Sequence, residues 1–330
     1  MLMKGIEISS EDVARIQQEF RIIGRTEELR EALYAITAKK HILIEGAVGV
    51  GKTVIADALA RYFKRKIYRI DGDERYTEQK MVGWFDPPLV MAKGYSKETF
   101  IEGPLTQAML GGAFFFINEL NRMPEGTQNV LLPAMDERRI TIPRIGIVES
   151  KEEFIIIATQ NPEEYIGTSR LSEALKDRFV WIRLDYQSEE EERDIVRKET
   201  GSKDGALVEI AVKIARRTRE DPEIRKGSSI RGAVDTVAIV QRNTPKQVSE
   251  LDDSRRREVI ERAAIMALSS KVEVREGSNE KLLEVLKKII SGVLNEYQRT
   301  LSGKTEAKEL QPQAEHSENF RSASLWSGRL

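Results

Sequence analysis

The sequence predicts an α/β fold: a parallel sheet covered by helices on both faces, followed by an all-helical domain. Three observations predict it. Short, continuous apolar runs alternate with amphipathic stretches from residue 41 to about 185. The first run ends in a glycine-rich turn that opens straight into a helical pattern. After about residue 187 the strand signal nearly stops while helical periodicity continues. Buried runs separated by helices are the pattern of parallel strands covered on both sides.

At the start, Ser9 or Ser10 can cap a helix whose apolar residues are Val13, Ile16 and Phe20. A second helix follows IIGR, with Thr26 as cap and Leu29, Leu33 and Ile36 as its stripe. HILIE (41–45), KIYRID (66–71), AFFFIN (113–118), FIIIAT (154–159) and VWIRLD (180–185) read as strands. VIADALARYF (54–63) reads as the helix after the glycine turn. Two stretches break the alternation and read as hairpins: 86–104, turning near Lys93-Gly94, and 138–150, turning near Arg144 to Gly146. Pro133 falls inside an otherwise helical run and should interrupt it. Ser188 and Glu191 form a capping box that opens the helical region. Four more helices are expected near 204–219, 229–242, 254–269 and 279–299. The expected organisation is a core domain over 1–187, a helical domain over 188–300 and a disordered tail over 301–330.

Composition narrows the function. The chain has 330 residues, with 53 Lys+Arg against 54 Asp+Glu, so a DNA-coating role through net charge is excluded. With no cysteine, thiolate catalysis, iron–sulfur clusters and cysteine zinc sites are excluded. Two histidines, His41 and His316, leave little room for a histidine metal centre. No run approaches the ~18 apolar residues of a membrane span. The N-terminus lacks the apolar segment of a signal peptide, so a cytoplasmic location is expected.

The chemistry concentrates in three places. GAVGVGKT (Gly46, Ala47, Val48, Gly49, Val50, Gly51, Lys52 and Thr53) matches G-x-x-x-x-G-K-[ST] between a strand and a helix. Such a loop brings backbone N–H groups to phosphate oxygens at a helix N-terminus. Lys52 would reach the β and γ phosphates of ATP, and Thr53 would place its hydroxyl on Mg²⁺. AFFFINELNR puts Asn118 and Glu119 at a strand end, where a carboxylate can activate an attacking water. FIIIATQNP ends a further strand with Asn161, whose amide can hold that water or the γ phosphate.

With these residues in place, the sequence resembles the AAA+ ATPases, in particular the MoxR branch near the magnesium chelatase ATPase subunit. The resemblance covers roughly residues 20 to 290. It rests on IIGR (22–25), the P-loop, the run INELNRMPEGTQNVLLPAMDERRITIP (117–143), ATQNP (158–162), LSEALKDRF (171–179) and GSSIR (227–231). It implies a P-loop AAA+ core with two hairpin inserts and a helical lid. It also implies a homo-oligomer, usually a hexameric ring, with ATP and Mg²⁺ between subunits. Gly46 to Thr53 match Walker A, and Glu119 matches the catalytic glutamate of Walker B. Asn161 matches sensor 1, Arg178 the arginine finger and Arg231 sensor 2. Arg170 is a second finger candidate.

The chain departs from the family at Asn118, where the family has a metal-facing Asp. Asparagine keeps an acceptor oxygen but loses a charge, so Asn118→Asp is expected to tighten Mg²⁺ dependence. The leading functional reading is a remodelling or chaperone-like motor on a protein client, with a separate von Willebrand factor A domain protein as partner. Two alternatives remain. A DNA motor of the MCM kind would grip through Arg138, Arg139 and Arg144 and through Lys93, Tyr95 and Lys97. A nucleotide-occupancy switch would follow from slow hydrolysis at Asn118.

Overall fold

The computed structural model describes residues 8–162, 171–244, 247–276 and 281–309. Two compact units divide between Gln187 and Ser188.

In the first unit, α1 (Ser10–Glu19) is capped by Ser9 in a reciprocal pair with Asp12. Thr26, expected as the next cap, is instead the first residue of α2 (Thr26–Thr37). The cap position is Arg25, left-handed at φ 63°. The Thr26 hydroxyl accepts from Gln17 at 3.0 Å, which draws it away from capping. Next come β1 (His41–Gly46), α3 (Lys52–Tyr62) and β2 (Ile67–Asp71). A first insert holds α4 (Glu78–Val82), β3 (Gly83–Phe85), α5 (Pro87–Lys93) and β4 (Phe100–Glu102). After α6 (Pro104–Gly111) and β5 (Phe114–Asn118) the chain forms α7 (Glu125–Asn129) and α8 (Leu131–Asp136). A second insert is the hairpin β6 (Arg139–Ile142) and β7 (Gly146–Glu149). The unit closes with β8 (Ile155–Gln160), α9 (Glu173–Lys176) and β9 (Phe179–Leu184).

Five strands form one parallel sheet in the order β2-β5-β8-β1-β9. Side chains alternate between its faces. Phe114 and Phe116 pack with Ile42, Ile44, Leu33 and Leu59, on the side of α2 and α3. Phe115 and Ile117 pack on the opposite face with Leu105, Met109 and Leu131, from α6 and α8. Both faces are buried, which is why these strands read as unbroken apolar runs.

The first expected hairpin is corrected. The antiparallel pair is β3 with β4, and the stretch read as a strand, Pro87–Lys93, is a helix. Asp86 accepts from the Leu89 N–H at 3.0 Å, and proline occupies the first turn. Asp-Pro-Pro is a helix-start signal that outweighs the local strand composition. The second hairpin turns where expected. Near Pro133 the helix breaks at Val130 into α7 and α8, as a missing N–H and a ring clash with the preceding turn require.

The second unit contains α10 (Glu189–Thr200), α11 (Gly205–Glu220), β10 (Ile224–Lys226), α12 (Ile230–Asn243), α13 (Asp253–Leu268), β11 (Glu273–Val274) and α14 (Leu282–Glu309). The Ser188–Glu191 box forms. Val196, Ile210, Val237, Ile260, Leu286 and Ile290 share one core. The last helix enters the segment expected to be a disordered tail and is described as far as Glu309. Lys, Glu and Ala favour helix there, and extending a packed helix carries no nucleation cost. The remaining tail, 310–330, lies outside the described residues.

Candidate active site

The site is built on the carboxyl edge of the sheet. The loop after β1 turns into α3 through Gly51, at φ 97°, a conformation that a Cβ would strain. Lys52 Nζ donates to the carbonyls of Gly46 (2.6 Å) and Ala47 (2.9 Å), folding over its own loop. Thr53 lies in the first turn of α3. The loop is tied to the sheet by Arg25, which is 8% exposed. Its Nη2 donates to the carbonyls of Val50 (2.8 Å) and Asp185 (2.9 Å), and its Nη1 pairs with Glu28 at 2.7 Å. A guanidinium can satisfy several acceptors at once in fixed directions, so Arg25 sets the loop's position against the ends of β1 and β9. Sequence reasoning gave Arg25 no role, although it closes the IIGR segment.

The ends of β2, β5 and β8 are joined by side chains. The Asn118 amide nitrogen donates to Asp71 at 2.9 Å, and the Thr159 hydroxyl donates to the Asn118 oxygen at 3.1 Å. The Glu119 N–H donates to the Thr159 hydroxyl oxygen at 2.9 Å. Glu119 takes a left-handed conformation, φ 58°, and its carboxylate pairs with Arg122 at 2.9 Å. A non-glycine residue at positive φ is uncommon, and here it turns the chain sharply at the strand end. Arg69 holds the Asp71 carboxyl below the usual carboxylate range, and Asn118 adds to the effect. Asn161 is buried, and its carbonyl accepts from the Asn121 amide at 3.4 Å. Asp71 and Thr159 were missed in the sequence, since only the register of parallel strands brings them to Asn118.

The structure therefore places the P-loop, Asn161 and the pair Asn118 and Glu119 at the ends of adjacent strands β1, β8 and β5. Among the described residues no group of three or more acidic or histidine side chains could hold a metal alone. The expected donors, the Thr53 hydroxyl and the Asn118 amide oxygen, are both oxygens. Oxygen donors that leave most of the shell to phosphate and water suit Mg²⁺.

The arginines fall elsewhere. Arg178 makes a two-point pair with Asp136, at 2.6 Å from Nε and 2.5 Å from Nη2, and also donates to the Ala174 carbonyl. Arg231 is exposed in the first turn of α12, in the second unit. Arg170 lies outside the described residues. Of the DNA-grip candidates, Arg138 donates to the carbonyls of Glu152 (2.8 Å) and Phe154 (3.2 Å). Arg139 pairs with Glu137 at 2.6 Å, and Arg144 lies 3.7 Å over the Tyr95 ring, linking the two inserts. No helix among the described residues is long and apolar enough to cross a membrane.

The family described as AAA domain (dynein-related subfamily) matches residues 41–179. The Bacillus subtilis protein YojN, itself uncharacterized, is 28% identical over 248 residues, covering 72% of this chain and 81% of that one. A Staphylococcus haemolyticus protein, also uncharacterized, is 28% identical over 236 residues, covering 68% of this chain and 89% of that one. Among solved structures, a Thermotoga maritima RuvB variant shares 18% identity at a TM-score of 0.48, covering 77% of this chain and 70% of that one. Brucella abortus NtrX in complex with ADP shares 15% identity at a TM-score of 0.48, covering 78% of this chain and 65% of that one. Residues 41–179 thus match the model of an AAA domain, and the five-stranded parallel sheet with its covering helices is the α/β fold of P-loop AAA+ proteins.

Proposed function

We propose that this chain is an ATP-hydrolysing ATPase of the MoxR kind, acting in the cytoplasm as an oligomeric remodelling motor on a protein client. A separate von Willebrand factor A domain protein is its proposed partner, and a hexameric ring its proposed assembly. The observation that carries the reading is the convergence of the P-loop, Glu119 and Asn161 at one carboxyl edge of a parallel sheet. Open α/β sheets bind their ligands at that edge.

Each residue then has a task. Lys52 leaves the carbonyls of Gly46 and Ala47 for the β and γ phosphates, which are stronger acceptors. The N–H groups from Gly49 to Thr53 and the start of α3 cradle the phosphates. Glu119 takes the proton of the attacking water, once its carboxylate has turned from Arg122. Asn161 orients that water or the γ phosphate. Arg178 comes from a neighbouring subunit and Arg231 from the helical domain, both toward charge developing on the transferred group. Mg²⁺, bound through Thr53 and Asn118 together with the phosphates, would neutralise part of that charge.

The test is ATP binding and steady-state hydrolysis by wild type, Lys52→Ala and Glu119→Gln. Wild type should bind and hydrolyse, Lys52→Ala should lose tight binding, and Glu119→Gln should bind without turnover. Hydrolysis by Glu119→Gln at the wild-type rate would overturn the reading. The neutral side chain of Asn118, in place of a carboxylate, favours a second reading, a switch governed by nucleotide occupancy with slow turnover. Single-turnover hydrolysis in the assembled oligomer separates the two.

A further inference from the structure

Asn118 stands where a carboxylate is expected, and the structure has a carboxylate one strand further out. Asp71 ends β2 and is the register partner of Asn118. In the same register Arg69 lies opposite Phe116, with its guanidinium 5.7 Å from that ring, so Asp71 and Asn118 share the sheet face that carries α3. Asn118 Nδ2 donates to Asp71 Oδ1 at 2.9 Å, and Arg69 Nη2 donates to the same oxygen at 2.8 Å. On its other side Asn118 Oδ1 accepts from the Thr159 hydroxyl at 3.1 Å.

An ionised carboxylate only accepts, whereas an amide has a donating and an accepting end. Asp71 therefore fixes which way the Asn118 amide faces. The nitrogen points to β2, and the oxygen points to β8, the neighbour of β1 and of the P-loop that follows it. Without Asp71 the amide could flip and present N–H groups, which repel a cation. An aspartate at position 118 would instead set two carboxylates at hydrogen-bond distance, and two like charges there cannot both ionise freely. Asparagine is the residue type that fits beside Asp71.

We propose that Asp71 is a positioning residue for the metal side of the nucleotide site. It locks the Asn118 amide with its oxygen toward β8, on the side of β5 where the P-loop strand lies, and supplies, one strand away, the negative charge that position 118 lacks. The inference rests on the nucleotide-site reading given above. It also implies that Asp71 and Asn118 can exchange roles.

The test is Mn²⁺ affinity of the full chain in its ADP complex, followed by the electron paramagnetic resonance signal of free Mn²⁺, together with ADP affinity in the absence of metal. Wild type, Asp71→Asn, Asn118→Asp and the exchanged pair Asp71→Asn with Asn118→Asp are compared. Asp71→Asn should weaken Mn²⁺ binding about tenfold, the scale of losing one charged hydrogen-bond partner. Its metal-free ADP affinity should not change. Asn118→Asp alone should not tighten Mn²⁺ binding, because the new carboxylate faces Asp71. The exchanged pair should bind Mn²⁺ at least as tightly as wild type. An unchanged Mn²⁺ affinity in Asp71→Asn, or an exchanged pair no better than Asp71→Asn, overturns the proposal while leaving the nucleotide site intact. If wild type fails to bind ADP without metal, the nucleotide-site reading fails and this inference falls with it.

Discussion

The ammonium of Lys52 needs acceptors, and two of those it finds in the chain alone are carbonyls of its own loop. On the proposed function phosphate oxygens replace them with charge-assisted hydrogen bonds, each worth about 1.5–3 kcal/mol when lost. Lys52→Ala should therefore weaken ATP binding by about a hundredfold or more, measured by titration with a fluorescent nucleotide. Equal affinity in that variant would sink the P-loop assignment. On the proposed function Glu119 acts in the chemical step instead, so Glu119→Gln should keep ATP affinity within about threefold and nearly eliminate turnover. Reading Asn118 from sequence alone gave the opposite expectation for one variant. A lost charge suggested that Asn118→Asp would tighten Mg²⁺ dependence. Asp71, 2.9 Å from the amide, changes the sign of that argument, because the new carboxylate would first have to overcome its neighbour. The motif residues are adjacent in sequence or fall at fixed spacing, so they were legible. Asp71 lies 47 positions away from Asn118, and only strand register makes them partners.

Between elements, two contacts carry further consequences. The end of β2 approaches the end of β5 so closely that a Cβ on Gly72 would lie 2.1 Å from the Glu119 carbonyl oxygen. The Gly72 N–H donates to the Asn118 carbonyl at 2.7 Å, so the backbone cannot back away without losing that bond. Gly72→Ala should destabilise the chain by about 1–3 kcal/mol, the usual cost of overpacking, and disturb Glu119. Thermal melting and ATPase rate check the two effects. At the start of β1, the Ile156 N–H donates to His41 Nδ1 at 2.9 Å. Burial, with Arg138 as the next cause, pushes His41 down to about 4 from its ordinary 6.5. As pH falls through 6.5 the unfolded chain takes up this proton first. Stability is therefore full above pH 6.5 and declines toward pH 4, on the order of 3 kcal/mol in all. Urea midpoints at pH 7 and pH 5 should differ more for wild type than for His41→Asn, and equal differences would reject this account. At this scale the sheet strands were legible because both faces are apolar. The first insert was not, since Pro87–Lys93 has strand-like composition and its helix is set by Asp86 and two prolines.

At the scale of the whole molecule, the chain brings a glycine-rich loop, a carboxylate and an amide to one edge of the sheet, while its candidate finger points elsewhere. Arg178 is held through two of its three guanidinium nitrogens, Nε and Nη2, on one carboxylate oxygen of Asp136 of its own chain, and that pair raises its pKa. The side chain is about one quarter exposed, at 28%, so the pair is screened and can be exchanged for a stronger anion. A phosphoryl group at a neighbouring subunit's P-loop is such an anion, since it offers more charge and a matching fork geometry. On this account Arg178 parks on Asp136 in the free chain and reaches across an interface in the assembly. Arg178→Ala should then bind ATP with wild-type affinity and hydrolyse it about a thousandfold more slowly, at the low end of measured finger effects. Mixing separates a shared site from a private one. Arg178→Ala and Glu119→Gln should each be nearly inactive alone. In mixed oligomers some interfaces join the intact Glu119 of an Arg178→Ala subunit to the intact Arg178 of a Glu119→Gln subunit. For random assembly the fraction of such interfaces is largest at equal amounts, so steady-state ATPase activity should rise to a maximum near a one-to-one mixture. Activity that stays flat at every ratio, in samples shown by light scattering to have co-assembled, would place Arg178 in its own subunit's structure and leave the finger role to another residue.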